Sequence, residues 1–148
     1  MKTFIFALLL FFTNFALASI AGNWTGYGNW AFRNEADATH CDSMTMTWSE
    51  SDTKLNLEKG HYECDVVTMD IDPVAWTKNG QNLLDENKNV IGTYDGTNLN
   101  VTIPSPANNT QIQISIKREA NHIDYREVWF NPQEKVYIIN ARLFTSGE

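Results

Sequence analysis

Turn signals cut this chain so often that little besides short strands fits between them. Asp52-Thr53, Asp72-Pro73, Asn79-Gly80, Asp95-Gly96, Asn121-His122 and Asn131 to Glu134 divide it, and Pro104 to Asn109 forms a longer loop. Between these points residues alternate apolar and polar, the period of a half-buried strand. Met44, Met46 and Trp48 fall on one face against Thr45, Thr47 and Ser49, and Ile112, Ile114 and Ile116 repeat the pattern later. Asn34 to Thr39 offers a single helical turn, too short to stand alone. About ten strands joined by short connections predict an all-β chain. Serial hairpins favour an antiparallel up-and-down meander, and closure into an 8–10-stranded barrel removes exposed edges.

The stretch Gly22 to Arg33, GNWTGYGNWAFR, reads as the first strand. Its aromatics suit a pleated surface, and its interior glycines predict a strong bend where backbones come close. Trp24, Trp30 and Phe32 share one parity and are expected to face inward.

The residues before that strand read as an export signal. Lys2 supplies a positive start, Phe4 to Phe12 an apolar run, and Ala16-Leu17-Ala18 the small residues that a signal peptidase needs. Residues 1–18 are therefore expected to be removed, leaving residues 19–148 as one domain without a membrane span. Cleavage takes Lys2 from the 11 basic residues and none of the 18 acidic ones, so the mature chain is more acidic than the −7 of the whole. Acidity argues against nucleic acid and anionic lipid as partners. Secreted or periplasmic localisation is the expectation. In that setting Cys41 and Cys64, the only cysteines, are expected to form a disulfide.

The cysteines also set a register. Opposed residues of an antiparallel hairpin have a constant positional sum, and a turn at Asp52-Thr53 places Cys41 opposite Cys64 and Trp48 opposite Leu57. The same register puts His61 opposite Met44, unless a bulge at Gly60 shifts Tyr62 and Cys64. His40, Cys41, His61 and Cys64 also make a possible tetrahedral metal set, but the disulfide would consume both sulfurs, and no metal or cofactor is expected.

For the last three strands, Asn121-His122 and Asn131 to Glu134 set Trp129 opposite Ile114 and Val136, and Glu127 opposite Ile116 and Ile138. One face then joins isoleucines with Arg118, Tyr125, Glu127, Trp129, Asn140 and Arg142. The other carries Val128, Phe130, Tyr137, Ile139 and Leu143. An apolar surface with a few embedded polar groups is how a small-molecule cavity reads, and the first face is the expected lining.

Gly22-Asn23-Trp24 on the first strand and Arg142 on the last resemble the Gly-x-Trp and closing arginine of the lipocalin and fatty-acid-binding-protein (calycin) barrels. The resemblance implies that Gly22, Trp24 and Arg142 are structural, with Arg142 packed across Trp24 as the barrel floor. It also implies a small hydrophobic or amphipathic molecule inside.

The expected ligand-binding residues are Trp48, Trp76, Arg118, Tyr125, Glu127 and Trp129, with Arg118 as anchor for a ligand carboxylate. No Gly-x-Ser-x-Gly elbow and no oriented histidine is present, so no catalytic residue is assigned. The alternative is a secreted protein-binding module or homodimer with a filled barrel, using the outward set Val128, Phe130, Tyr137, Ile139 and Leu143. An isomerase or cyclase inside the barrel is a third class that no residue pair demands.

Overall fold

A computed structural model of the chain describes residues 19–32, 38–105, 109–132 and 135–146. The expected signal segment, residues 34–37 of the Asn34 to Thr39 break, residues 106–108 of the Pro104 to Asn109 loop and residues 133–134 of the last turn lie outside them. Eleven strands follow one another: β1 (Gly22–Phe32), β2 (Thr39–Glu50), β3 (Lys54–Cys64), β4 (Thr68–Ile71), β5 (Val74–Asn79), β6 (Asn82–Leu84), β7 (Val90–Tyr94), β8 (Asn98–Pro104), β9 (Gln111–Arg118), β10 (His122–Phe130) and β11 (Lys135–Thr145). All pairings are antiparallel. β1 bridges β2 and β11, and the β2–β3 pairing completes a ten-stranded closed barrel.

β4 is the extra strand. β3 stops at Cys64 and the chain turns back, so that β4 pairs with Gly60–Glu63 and β5 with Lys54–Leu57. The fourth stave of the barrel is thus broken at Asp72-Pro73. β4 pairs only with β3, and the upper end of β8 pairs only with β9. The rim between β4 and β8 is consequently not bridged by strand pairing.

Closure depends on close backbone approach at β1. A Cβ at Gly26 would lie 2.1 Å from the Arg142 carbonyl oxygen, and one at Gly28 would lie 2.4 Å from that of Asn140 and 2.6 Å from the Met44 sulfur. Only glycine permits that path. The bulge between Gly26 and Gly28 adds the local bend.

The β2–β3 hairpin keeps Cys41 opposite Cys64 and Trp48 opposite Leu57, and Cys41 and Cys64 are joined by a disulfide. Between those points two bulges offset each other, so Met44 faces Tyr62 and His61 faces Thr45. Tyr62 enters the interior and His61 leaves it. With the sulfurs bonded to each other, the His/Cys metal set lacks half its ligands.

The β9–β10 register is shifted by two residues from expectation, with Glu127 opposite Ile114 and Trp129 opposite Ile112. A shift of two keeps every side chain on its face. The β10–β11 register is shifted by one at a bulge between Trp129 and Phe130, so Trp129 faces Tyr137, not Val136. A shift of one exchanges the faces of the whole strand. Tyr137, Ile139, Ala141 and Leu143 therefore point inward, while Asn140 and Arg142 point out. The expected outward apolar set is broken up by this exchange.

Trp24, Ile20 and Arg118 close the floor of the barrel. Trp24 is 1% exposed, and its indole N–H donates to the Ile20 carbonyl at 2.8 Å; Ile20 itself is fully buried. The Arg118 guanidinium lies 5.4 Å from the Trp24 ring centre. Beside it, Lys78 donates to Glu50 at 2.5 Å and the Tyr94 hydroxyl donates to the same carboxylate at 2.9 Å. Ser19 also donates to Glu50, which ties the segment before β1 to the floor.

Gly26→Ala is expected to cost about 2–3 kcal/mol, since the added methyl meets backbone that has no room to yield. Urea denaturation read by tryptophan fluorescence checks it; an unchanged midpoint would show that the strands do not approach as described.

Candidate functional site

Alternation along β10 and β3 brings one carboxyl group into the barrel among aromatic side chains. Glu127 is 5% exposed and is the one buried charged residue among those described. Tyr62 from β3 and Tyr125 from β10 both donate to its Oε2, Tyr62 at 2.7 Å, and Trp129 Nε1–H donates to Oε1. The two phenol oxygens are 2.9 Å apart. A carboxylate has about four acceptor sites. Three are used here, two of them on Oε2, so Oε1 retains acceptor capacity.

All three donors are neutral. Among the described residues no lysine, arginine or histidine nitrogen forms an ion pair with Glu127; Lys78 is held by Glu50, and Arg118 lies over Trp24. The tyrosines register the situation. Burial first, then the neighbouring Tyr125 and Glu127, push the Tyr62 phenol well above 10.0. Burial and then the Glu127 charge do the same to Tyr125. Tyr137 is likewise raised, by burial and then by Glu127.

Above this cluster the wall becomes aromatic and half-exposed. Trp129 stacks on Tyr137 with ring centres 4.7 Å apart, and Tyr137 lies 6.0 Å from Trp30, which in turn lies 6.1 Å from Phe32. Across the barrel, Met69 and Ile71 of β4, Ile91 and Ile103 are only partly buried against the core. The candidate site is the end of the barrel opposite Trp24, hereafter the cup, where these aromatic residues stand near Glu127.

Of the expected lining residues, Tyr125, Glu127 and Trp129 meet in this cup. Trp48 and Trp76 are fully buried below it with ring centres 6.1 Å apart, and the Trp48 indole N–H has no hydrogen-bond partner among the described residues. Arg118 sits at the floor and does not reach the cup. Arg142 does not cover Trp24; it is on the outer surface, where its Nε donates to Asp124 at 2.8 Å. The closing cation comes from β9 instead. Tyr62 and Tyr137 were missed, both through one-residue register shifts, and the bulge considered at Gly60 was the available signal for Tyr62.

A hollow of about 610 Å³ crosses the outside of β8, β9, β10, β11 and β1. It is lined by Tyr27 and by polar groups including Asn29, Asn100, Arg126 and Asn140. Its charges are already engaged: Arg142 with Asp124, Lys117 with Glu119, and Arg126 with the Asn140 amide oxygen.

The fold has a solved counterpart. The chain is similar to a protein of unknown function from the DUF3598 family of Nostoc punctiforme, known from its crystal structure, with a TM-score of 0.56 and 12% identity. The likeness covers 86% of this chain and 47% of that one, so the chain spans less than half the neighbour's length. At that identity the likeness is one of fold alone, and the barrel fits a calycin-like architecture. No family model matches the chain, and no curated protein matches it in sequence.

Two outcomes follow from this geometry. Phenols held protonated in the fold but free to ionise when unfolded give a native state that binds more protons above pH 10. Stability should therefore be full below that pH and fall above it, by up to about 1.4 kcal/mol per pH unit for each such tyrosine. Tyr62→Phe should make the fall shallower, as read by denaturant melts at pH 8 to 11; an unchanged slope would mean that Tyr62 ionises normally. Arg118→Ala should lose about 1 kcal/mol or more through the uncovered Trp24, whereas Arg142→Ala, from an exposed pair, should lose less than about 1 kcal/mol. Thermal melts that reverse this order would contradict the floor assignment.

Proposed function

We propose that the protein is an exported carrier that binds a small, largely apolar molecule in the end of its barrel opposite Trp24. One observation carries this reading: the floor is closed by Trp24, Ile20 and Arg118, while the apolar residues around the Glu127 cluster at the other end are half-exposed. Concave, mostly apolar surface with a few converging polar groups is the usual character of a small-molecule site. The rim between β4 and β8, which no strand pairing bridges, is where the ligand would enter. The disulfide is in keeping with an oxidising compartment. Compared with the expected lining, which included Trp48 and Trp76, the proposed site is shallower, because Trp48, Trp76 and Tyr62 are buried in the depth of the barrel.

The protein-binding alternative drew on an outward apolar set, of which Tyr137, Ile139 and Leu143 point inward. It keeps a place as an outcome of the test.

A panel of fatty acids, fatty amines, retinoids and flat aromatic molecules, titrated against tryptophan fluorescence, should yield at least one saturable quench or shift, and Trp129→Phe should reduce its amplitude. Absence of any response, together with a dimer or larger assembly by light scattering, would favour the interaction module and overturn the carrier reading.

A further inference from the structure

A buried carboxylate needs more than hydrogen bonds. Tyr62, Tyr125 and Trp129 satisfy three acceptor sites on Glu127 but bring no positive charge, and the described cations at the floor belong to other partners. Removing an ion from water without a counter-charge is expensive even where its hydrogen bonds are made. The walls above Glu127 add a second and independent observation. Trp129 and Tyr137 are stacked, and Trp30 and Phe32 continue the aromatic surface to the rim. Aromatic faces attract cations through their quadrupoles, and more strongly where water is excluded. The chain as a whole carries −7, which raises the local concentration of cations around it.

Resting on the carrier reading above, we infer that the ligand of the cup carries a positively charged nitrogen on an apolar body. The nitrogen sits between Glu127 Oε1 and the faces of Trp129, Tyr137 and Trp30, and the apolar body lies toward Met69, Ile71 and Ile103. This inverts the polarity expected when Arg118 was placed as an anchor for a carboxylate. Arg118 is at the opposite end of the barrel, and a carboxylate entering the cup would meet Glu127. The geometry selects a class, organic ammonium with a hydrocarbon or aromatic tail, through charge at one end and apolar contact along the rest.

The test compares decyltrimethylammonium, 1-decanol and decanoate, which share a tail and differ in head charge. Isothermal titration below their micelle concentrations, at 0.5 M salt to screen the general acidity of the surface, reads the preference. The expected result is binding of the ammonium at least about tenfold tighter than the alcohol, with decanoate weakest. Glu127→Gln should bring ammonium and alcohol to within about threefold while the alcohol still binds. Equal affinities, a preference for decanoate, or a cation preference that survives Glu127→Gln would overturn the inference and leave the carrier reading intact. Failure of all three, and of the wider panel, would overturn both. Where Glu127→Gln does not fold, the wild-type series decides on its own, and Trp30→Ala should weaken the ammonium more than the alcohol.

Discussion

Everything in this structure depends on how closely β1 can approach its two neighbours. At Gly26 and Gly28 the backbone of β11 stands where any side chain would be, and the Met44 sulfur of β2 occupies what space remains. A first strand that bends there can hydrogen-bond to β2 on one side and β11 on the other, and the sheet becomes a barrel. Closure removes edges and creates an inside. The inside then decides the fate of every alternate residue, including one glutamate.

The two ends of the barrel differ for physical reasons. At the floor an aromatic ring, a guanidinium and the buried Ile20 close the opening, and Glu50 collects Lys78, Tyr94 and Ser19 around it. Burial alone would raise the Glu50 carboxyl, but those hydrogen bonds together hold it below its ordinary value. That charge is compensated. At the other end Glu127 has donors but no cation among the described residues, the stave formed by β4 and β5 is broken, and the aromatic residues are not fully covered. The two ends thus differ in how a buried carboxylate is met.

The sequence made the architecture legible because alternation and turn chemistry are local. Strand positions, the antiparallel meander and the disulfide could be read from Met44-Met46-Trp48, from Asp95-Gly96 and from two cysteines whose positions agreed with one hairpin. Faces were harder. The two bulges in β2–β3 cancel at the ends of the hairpin and not in its middle, so Cys41 and Trp48 found their expected partners while Tyr62 and His61 exchanged sides. The single bulge at Trp129–Phe130 turned the whole of β11 over. A two-residue shift in β9–β10 did no such damage, which is why Tyr125, Glu127 and Trp129 keep the face expected of them. Arg142 was assigned to the floor by resemblance, and Arg118 takes that place. The role is a matter of where a cation can reach, and β9 ends at the floor as surely as β11 does.

The proposed ligand occupies the end of the barrel opposite Trp24, against Trp30 and Trp129, and not the depth of the barrel. The five tryptophans report on it separately, because each indole N–H gives its own resonance. Addition of decyltrimethylammonium to ¹⁵N-labelled protein should move the Trp30 and Trp129 indole signals, Trp129 most because its N–H is bound to Glu127. The signals of Trp24, Trp48 and Trp76 should stay nearly still. Movement confined to those three, or no movement of any indole at saturating probe, would contradict the account.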